Sequence, residues 1–146
     1  MPQIGNMSLN DIVIPPGFIP NPRRSPLTDP WEPIYWKQAD DAIIIALRLA
    51  RSHTNARGLI HGGLIAALAD KAMGHSCGHR VGPAFSLVTV NLSVDYIGTA
   101  KIGQWLAVKS NVLKTGSTLC FVESIITADD VAIARANATF RVVPRP

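Results

Sequence analysis

The sequence predicts an α+β domain in which an antiparallel sheet is wrapped around one central helix. A single helical stretch, residues 63–78, is rich in alanine and leucine and contains no proline. Two strand candidates precede this stretch and four follow it. The last four strands are joined by short turns, which favour antiparallel neighbours. The order β-β-α-β-β-β-β therefore predicts one sheet packed on one helix.

The first 33 residues differ in composition from the rest of the chain. Eight of the eleven prolines lie there, and proline resists both helix formation and ladder pairing. We therefore expect residues 1–33 to form an arm on the surface or across a partner subunit, and residues 34–146 to form the domain. Five apolar residues predict that the arm docks on folded surface: Ile12, Val13, Ile14, Phe18 and Ile19.

The strand candidates are runs of β-branched and apolar residues bounded by turn residues. The two before the helix are residues 34–37 and 42–50. The four after it are residues 86–96, 105–113, 118–127 and 131–143. Residues 114–117 and 129–130 have the composition of hairpin turns.

Two of these strands alternate, which predicts the face that is buried. In residues 86–96 the apolar side carries Val88, Val90, Leu92 and Val94. This alternation places Thr89 on the polar side. In the last strand one side carries Ala132, Ala134, Ala136 and Ala138, and the other carries Arg135, Asn137, Thr139 and Arg141. A face of small residues allows close approach, and the helix is the obvious neighbour.

The residues with the most chemical content lie where the helix begins. His61, Gly62 and Gly63 precede the apolar run 64–69, which is followed by Asp70. Glycines let the backbone pass close to a ligand, and a helix start offers unpaired N–H groups to an oxygen with partial negative charge. An aspartate in an apolar run is costly to bury unless it is paired or used. A carbonyl-polarising donor and a carboxylate are together typical of acyl chemistry.

The spacing of His61 and Asp70 predicts a dimer. Nine residues of α-helix correspond to a rotation of roughly 180° and a rise of about 13 Å. The two side chains of one chain therefore cannot share a site. If both act, the helix start of one chain must face the acid of another, which predicts a homodimer with sites shared between subunits.

Several of these residues carry a resemblance to a known family. Asn55, Gly58, His61-Gly62-Gly63 and Asp70, followed by residues 89–92 and Asp95-Tyr96, resemble the hotdog-fold acyl-CoA thioesterases of the phenylacetate-pathway type. The similarity extends over residues 34–143 in order and spacing. It implies hydrolysis of an acyl- or aryl-acyl-CoA to free acid and CoA. It also implies a homodimer, or two dimers paired into a homotetramer, with no metal or redox cofactor and coenzyme A only as part of the substrate.

The resemblance also implies a role for each residue of the motif. Asp70 would be the general base or nucleophile, and the Gly62 N–H would be the oxyanion donor. Asn55 would position the attacking water or the carbonyl, and His61 would support that arrangement. Two residues would bind substrate: Gly63, and Thr89 at a position where the family often has serine.

Each residue also has a structural explanation. His61 could satisfy a loop carbonyl, Asn55 could be a turn residue, and the two glycines could only tighten that turn. Asp70 could be ion-paired with Lys71 or Arg80. A functional site is favoured because one spacing has to explain all four. Two other activities remain open: an enoyl- or hydroxyacyl-CoA hydratase-dehydratase on the same fold, and a non-catalytic acyl-CoA-binding module.

A zinc site is a weaker hypothesis. His75 and His79 are four residues apart, as helical zinc ligands can be. A closed site needs further ligands, however, and Cys77 would point elsewhere. The C-terminal helix dipole explains histidines at this helix end more simply, so we expect no metal.

Composition narrows the function classes further. With 146 residues and 47% hydrophobic residues, the chain can bury one substantial core. The net charge of +4 is scattered rather than gathered in a stripe, which argues against nucleic acid and fits an anionic small molecule. Two cysteines form no disulfide framework, so we expect a reducing cytoplasmic setting. Residues 1–20 lack the pattern of a signal peptide and residues 42–50 are too short to cross a bilayer, so we expect no membrane association.

Overall fold

The computed structural model describes residues 13–146, so Ile12 of the arm lies outside the described residues. In this part of the chain one long helix is accompanied by seven strands. The elements are β1 (Ile19–Pro20), β2 (Tyr35–Ala39), β3 (Ala42–Arg48), α1 (Gly62–Val81), β4 (Phe85–Tyr96), β5 (Trp105–Thr115), β6 (Leu119–Ala128) and β7 (Val131–Pro144). The predicted fold class is confirmed, and the six predicted strands and the helix are all present.

All seven strands form one antiparallel sheet in the order β1-β2-β3-β5-β6-β7-β4. Short connections explain part of this order, because β5, β6 and β7 are consecutive hairpin neighbours. The expectation that short turns make all of the last four strands neighbours is wrong for β4, which pairs with β7, while β5 pairs with β3. At the β6–β7 turn, Asp129 and Asp130 both have positive φ, 46° and 66°. Two such residues form the turn whose twist matches a hairpin, as the sequence predicts. Strands β1 and β4 lie at the two edges.

The helix packs its apolar side onto the sheet, and this contact forms the core. Its fully buried residues include Leu68, Ala69, Ala72 and Met73, with relative exposures of 0%. Within the apolar run 64–69, Ala66 and Ala67 are only half-buried. The half-buried side continues through Asp70, Lys71, Gly74, His75 and Gly78. In a single chain the helix therefore keeps one open stripe.

A β-bulge explains why the predicted alanine face is only partly correct. Ala134, Ala136 and Ala138 are buried, but Ala132 is exposed. Ile126 of β6 pairs with Ala134, whereas the next residue, Thr127, pairs with Ala132. One residue of β7, Ile133, is therefore extra, and an extra residue reverses the inward and outward alternation beyond it.

A second bulge changes the faces of β4. Thr89 pairs with Phe140 and Asn91 pairs with Thr139, so Val90 is the extra residue. Cross-strand partners share a face, and Phe140 is buried. Thr89 therefore faces the helix and not the polar side, which corrects the prediction. Val88 and Val90, expected to be buried, are 52% and 60% exposed in the single chain.

The arm is more regular than its proline content suggests. Ile19 and Pro20 pair with Trp36 and Tyr35 and add an edge strand, so the expectation that the arm avoids ladder pairing is wrong there. Proline is tolerated at an edge because one side of the strand needs no ladder partner. Docking is confirmed for Phe18, whose ring meets that of Trp105 edge to face at 5.4 Å. Val13 and Ile19 stay exposed.

Two further expectations concern cysteines and membrane spans. Cys77 and Cys120 are both buried and free of disulfides, and burial raises the pKa of both thiols. Within residues 13–146, no helix combines the length and hydropathy that a bilayer crossing requires.

Candidate active site

The start of α1 leaves one N–H group open. His61 is the N-cap, and its Nδ1 accepts a hydrogen bond from the Gly63 N–H at 2.9 Å. The His61 carbonyl accepts from the N–H groups of Leu64 and Ile65 at 3.1 and 3.3 Å. Within the described chain, the Gly62 N–H donates to no protein atom. This group therefore remains available to an oxygen of a ligand at the positive end of the helix dipole.

Tyr96 fixes the Gly62 peptide from the other side. Its hydroxyl donates to the Gly62 carbonyl at 2.6 Å. A Cβ atom on Gly62 would lie 3.3 Å from the Tyr96 ring, so any larger residue would need this ring to move by a few tenths of an ångström. Sequence reasoning included Tyr96 in the family motif but gave it no role. The alternation of residues 86–96 places Tyr96 on the same side as Leu92 and Val94, but its contact with Gly62 joins two separate elements and gives no signal in the sequence.

Asn55 shapes the loop before the helix. Its Oδ1 accepts hydrogen bonds from the N–H groups of Arg57 at 2.9 Å and Leu59 at 3.2 Å. This is the structural role that turn-forming asparagines play. The side-chain amide nitrogen makes no hydrogen bond within residues 13–146 and remains a possible donor. The His61 N–H donates to the His53 carbonyl at 3.0 Å, so this loop folds back beside the helix start.

Asp70 interacts with a hydroxyl group rather than with a cation. Thr89 donates from Oγ1 to Asp70 Oδ1 at 2.7 Å. The ion-pair explanation is wrong: Arg80 pairs with Asp41 at 3.1 Å, and the Lys71 ammonium donates to the Arg23 carbonyl. Among the described residues no basic side chain lies within 4.0 Å of the Asp70 carboxylate. Asp70 is therefore held in place without being neutralised.

Asp70 and Thr89 line a cavity of about 590 Å³. It lies between the open stripe of α1 and the strands β2, β4 and β7, and three aromatic rings line it: Trp36, Phe85 and Phe140. Gly74 forms part of the helical wall, where a Cβ would lie 3.3 Å from the Phe140 ring. Neither the aromatic lining nor the glycine wall is visible in the sequence, because the residues come from separate elements.

The predicted site residues fall into two groups. Asp70 and Thr89 line the cavity, whereas Asn55, His61, Gly62 and Gly63 do not. Gly62 and Asp70 are eight residues apart on α1, which corresponds to a rise of about 12 Å. This separation agrees with the estimate from spacing. The structure thus brings Asp70 to Thr89, and Gly62 to Tyr96, but does not bring the acid to the open N–H within one chain.

The two histidines considered for zinc have other contacts. The His75 ring meets Trp36 edge to face at 5.1 Å. Burial, followed by the charges of Lys71 and Arg23, lowers the pKa of His75 from 6.5 to about 4. His79 Nε2 lies 3.3 Å from the Gln38 amide nitrogen. Residues 13–146 contain no cluster of three or more histidine, cysteine or acidic side chains with metal-binding geometry.

Residues 57–134 match the thioesterase superfamily. The matched segment includes the open N–H at Gly62, the acid and its threonine partner. The chain belongs to this superfamily. The expected resemblance to hotdog-fold thioesterases is confirmed, and so is the prediction of a thioester hydrolase. Which thioester is cleaved does not follow from membership.

Similar proteins agree with this assignment. PA0474, a Pseudomonas aeruginosa protein named for a proposed esterase activity, is 35% identical over 128 residues, covering 87% of this chain and 96% of its own length. Human acyl-coenzyme A thioesterase 13 is 35% identical over 91 residues, covering 61% and 63%. The structure of BH2602 from Bacillus halodurans, solved with CoA, superposes with a TM-score of 0.64 at 25% identity, covering 68% of this chain and 66% of that one.

Proposed function

We propose that the chain is an acyl-CoA thioesterase whose active sites are each built from two copies of the chain. One observation carries this proposal. The Asp70 carboxylate lines a cavity and is hydrogen-bonded to Thr89 without an ion-pair partner, whereas the open N–H of Gly62 lies at the distant start of the same helix. Relatives named as acyl-coenzyme A thioesterases, and a relative structure holding CoA, support the choice of thioester.

The reaction follows from the chemistry of these groups. The Gly62 N–H of one chain donates a hydrogen bond to the thioester carbonyl oxygen and stabilises the negative charge that develops on that oxygen in the transition state. Asp70 of the other chain removes a proton from water as the water oxygen bonds to the carbonyl carbon. The C–S bond then breaks, and the CoA thiolate recovers the proton from Asp70. Direct attack by Asp70 on the carbonyl is the alternative route to the same products.

Asn55 and His61 act on the donor side of the site. The free amide group of Asn55 can orient the water or the carbonyl. Because His61 Nδ1 accepts the Gly63 N–H, the ring proton of neutral His61 lies on Nε2. His61 thereby holds the first turn in place while the Gly62 N–H stays open. In this proposal, Gly63, next to the donor Gly62, and Thr89, next to the acid Asp70, also contact the substrate.

The edge strand β4 offers the surface for a second copy. This twelve-residue strand lies at the end of the sheet order, and its partner on one side only is β7. Val88, Val90 and Ile97 on or beside it are 52%, 60% and 64% exposed. A long apolar edge is a template for pairing with another strand. Two β4 strands paired in this way make a homodimer, and two such dimers would make the homotetramer that the resemblance also implies.

The cavity favours an acyl group with an aromatic ring. Trp36, Phe85 and Phe140 line it, and edge-to-face or offset ring contacts contribute about 0.5–1.5 kcal/mol beyond burial.

A panel of acyl-CoAs tests the activity. Release of free thiol supports the thioesterase, turnover of enoyl-CoA without thiol release supports the hydratase, and binding without turnover supports the binding module.

Subunit complementation tests the shared site. Asp70→Ala removes the acid, and the double variant Asn55→Ala, His61→Ala damages the donor side, so each homodimer should hydrolyse acyl-CoA poorly. When the two are unfolded and refolded together, about half of the dimers are mixed and half of their sites are intact. Up to about a quarter of parental activity should return, because each intact site has its full set of interdependent residues. Each variant refolded alone is the control. Mixed dimers proven by mass spectrometry but without activity would place the site within one chain.

A further inference from the structure

The wall of the cavity is positively charged apart from the reacting acid. Its ionisable residues are Arg23, Lys71, His75, His79, Arg145 and Asp70. Asp70 is thus the single carboxylate among the described lining residues, and two arginines and one lysine line the same space. An acyl group made only of hydrocarbon would give these cations nothing to bind.

Lys71 is the best placed of them. It follows Asp70 on α1, and the α-carbons of consecutive residues are about 3.8 Å apart. Its ammonium donates to the Arg23 main-chain carbonyl, but an ammonium has three protons, so two remain available. Lys71 is half-buried and forms no ion pair within 4.0 Å in residues 13–146.

Glu32 does not form an ion pair with Lys71. The pKa of Lys71 is lowered: burial has the largest effect, the charge of Glu32 partly offsets it, and the charge of Arg23 lowers the pKa further. The Glu32 carboxylate is already occupied, because it accepts hydrogen bonds from the Asn21 amide at 2.9 Å and from the Ile34 N–H. Glu32 also lies outside the cavity lining. A half-buried cation without an ion-pair partner is costly, and a ligand anion would relieve that cost.

We infer that the substrate's acyl group ends in a carboxylate, which binds the Lys71 ammonium with Arg23 beside it. This inference rests on the proposed thioesterase function and specifies its substrate class. The phosphates of CoA are poor candidates for the same cation, because the pantetheine arm separates them from the thioester, whereas Lys71 adjoins the residue that reacts with the carbonyl. The far end of a short acyl group lies within reach of a lysine side chain.

The experiment compares acyl groups of equal length that differ only at the far end. Adipoyl-CoA is paired with hexanoyl-CoA, and terephthaloyl-CoA with 4-methylbenzoyl-CoA, and kcat/KM is measured for each. Binding is measured separately by calorimetry with two thioethers that cannot be hydrolysed, S-hexyl-CoA and its ω-carboxy counterpart. The variant is Lys71→Met, which keeps side-chain length and helix propensity. Lys114→Met, at an exposed lysine outside the cavity, is the matched control.

Hydrogen bonds to ionised groups are stronger than those between neutral groups. In the parent protein we therefore expect kcat/KM or binding to be at least about tenfold better for the member of each pair that carries the carboxylate. Lys71→Met should remove that preference and Lys114→Met should keep it. Arg23→Gln should reduce it, which keeps the test valid if Lys71→Met folds poorly. Equal use of both members of each pair, or a parallel loss in Lys71→Met, would overturn the inference while hydrolysis itself stands. Carboxylate-selective thioether binding without hydrolysis of any thioester would support this inference and refute the thioesterase.

Discussion

The bond between Thr89 and Asp70 gives the sharpest prediction about the acid. Thr89→Val keeps the shape of the side chain and removes only the hydroxyl that donates to Asp70 at 2.7 Å. A hydrogen bond to a charged group contributes about 1.5–3 kcal/mol, and each 1.36 kcal/mol of barrier is a factor of ten in rate. We therefore expect kcat/KM for acyl-CoA hydrolysis to fall by about 10- to 150-fold. Thr89 is exposed in the single chain, so the upper end applies only when a second subunit excludes water.

Two controls separate this effect from general damage to the sheet. Thr89→Ser keeps the donor and should retain most of the activity. Thr139→Val makes the same chemical change on β7, where Thr139 pairs with Asn91 on the outward side of the bulge, and should leave kcat/KM unchanged. The assay measures release of free CoA thiol. The melting temperature of each variant is measured as well, so that only variants that are folded at the assay temperature are compared. Thr89→Val with near-parental activity, or Thr89→Ser as slow as Thr89→Val, would refute the assignment of Thr89 as the group that positions Asp70.

The remaining predictions concern stability. Ala136→Leu should overpack the core beneath the helix and lower the free energy of unfolding by about 1–3 kcal/mol, whereas Ala132→Leu should be nearly neutral because Ala132 is exposed; equal effects in urea titrations would contradict the bulge. The pKa of His75 is lowered to about 4 in the folded state, so its protonation favours unfolding and stability should decline as pH falls from about 6.5 towards 4. His75→Gln should flatten this decline and His79→Gln should not. Deleting residues 1–22 removes the Phe18–Trp105 contact and β1, so the melting temperature should drop by about 3 °C or more; unchanged melting and kinetics would make the arm dispensable.

The parts of the fold that depend on local pattern could be predicted from sequence. The helix was visible because residues 62–81 combine good helix formers with an apolar run, and its N-cap coincides with the His61-Gly62 motif. The strands were visible as β-branched runs between turn residues, and their ends differ by at most two residues from the structure. The one missed strand, β1, has only two residues, one of them proline.

Bulges account for what the pattern could not predict. An alternation of apolar and polar residues fixes a face only while every residue has a partner. Val90 and Ile133 are each an extra residue without a ladder partner. Beyond each of them, the side chains that alternation would place inward point outward, and the reverse. For this reason the alternation predicts Thr89 on the polar side and Ala132 on the buried side, and both predictions are wrong. The cavity cannot be predicted for another reason, because its lining is contributed by one helix, four strands and the arm.

The bulge at Val90 also links the two halves of the candidate site. Before it, Thr89 faces inward and holds Asp70; after it, the even-numbered residues face inward, and Tyr96 holds Gly62. With regular alternation, residues 89 and 96 would lie on opposite faces, because they are an odd number of positions apart. One strand could then position the acid or the donor but not both. The extra valine resolves this conflict and is itself left exposed on the edge where a second copy would pair. The same local irregularity therefore orients both groups that we propose to be catalytic and supplies apolar surface for the dimer that we propose.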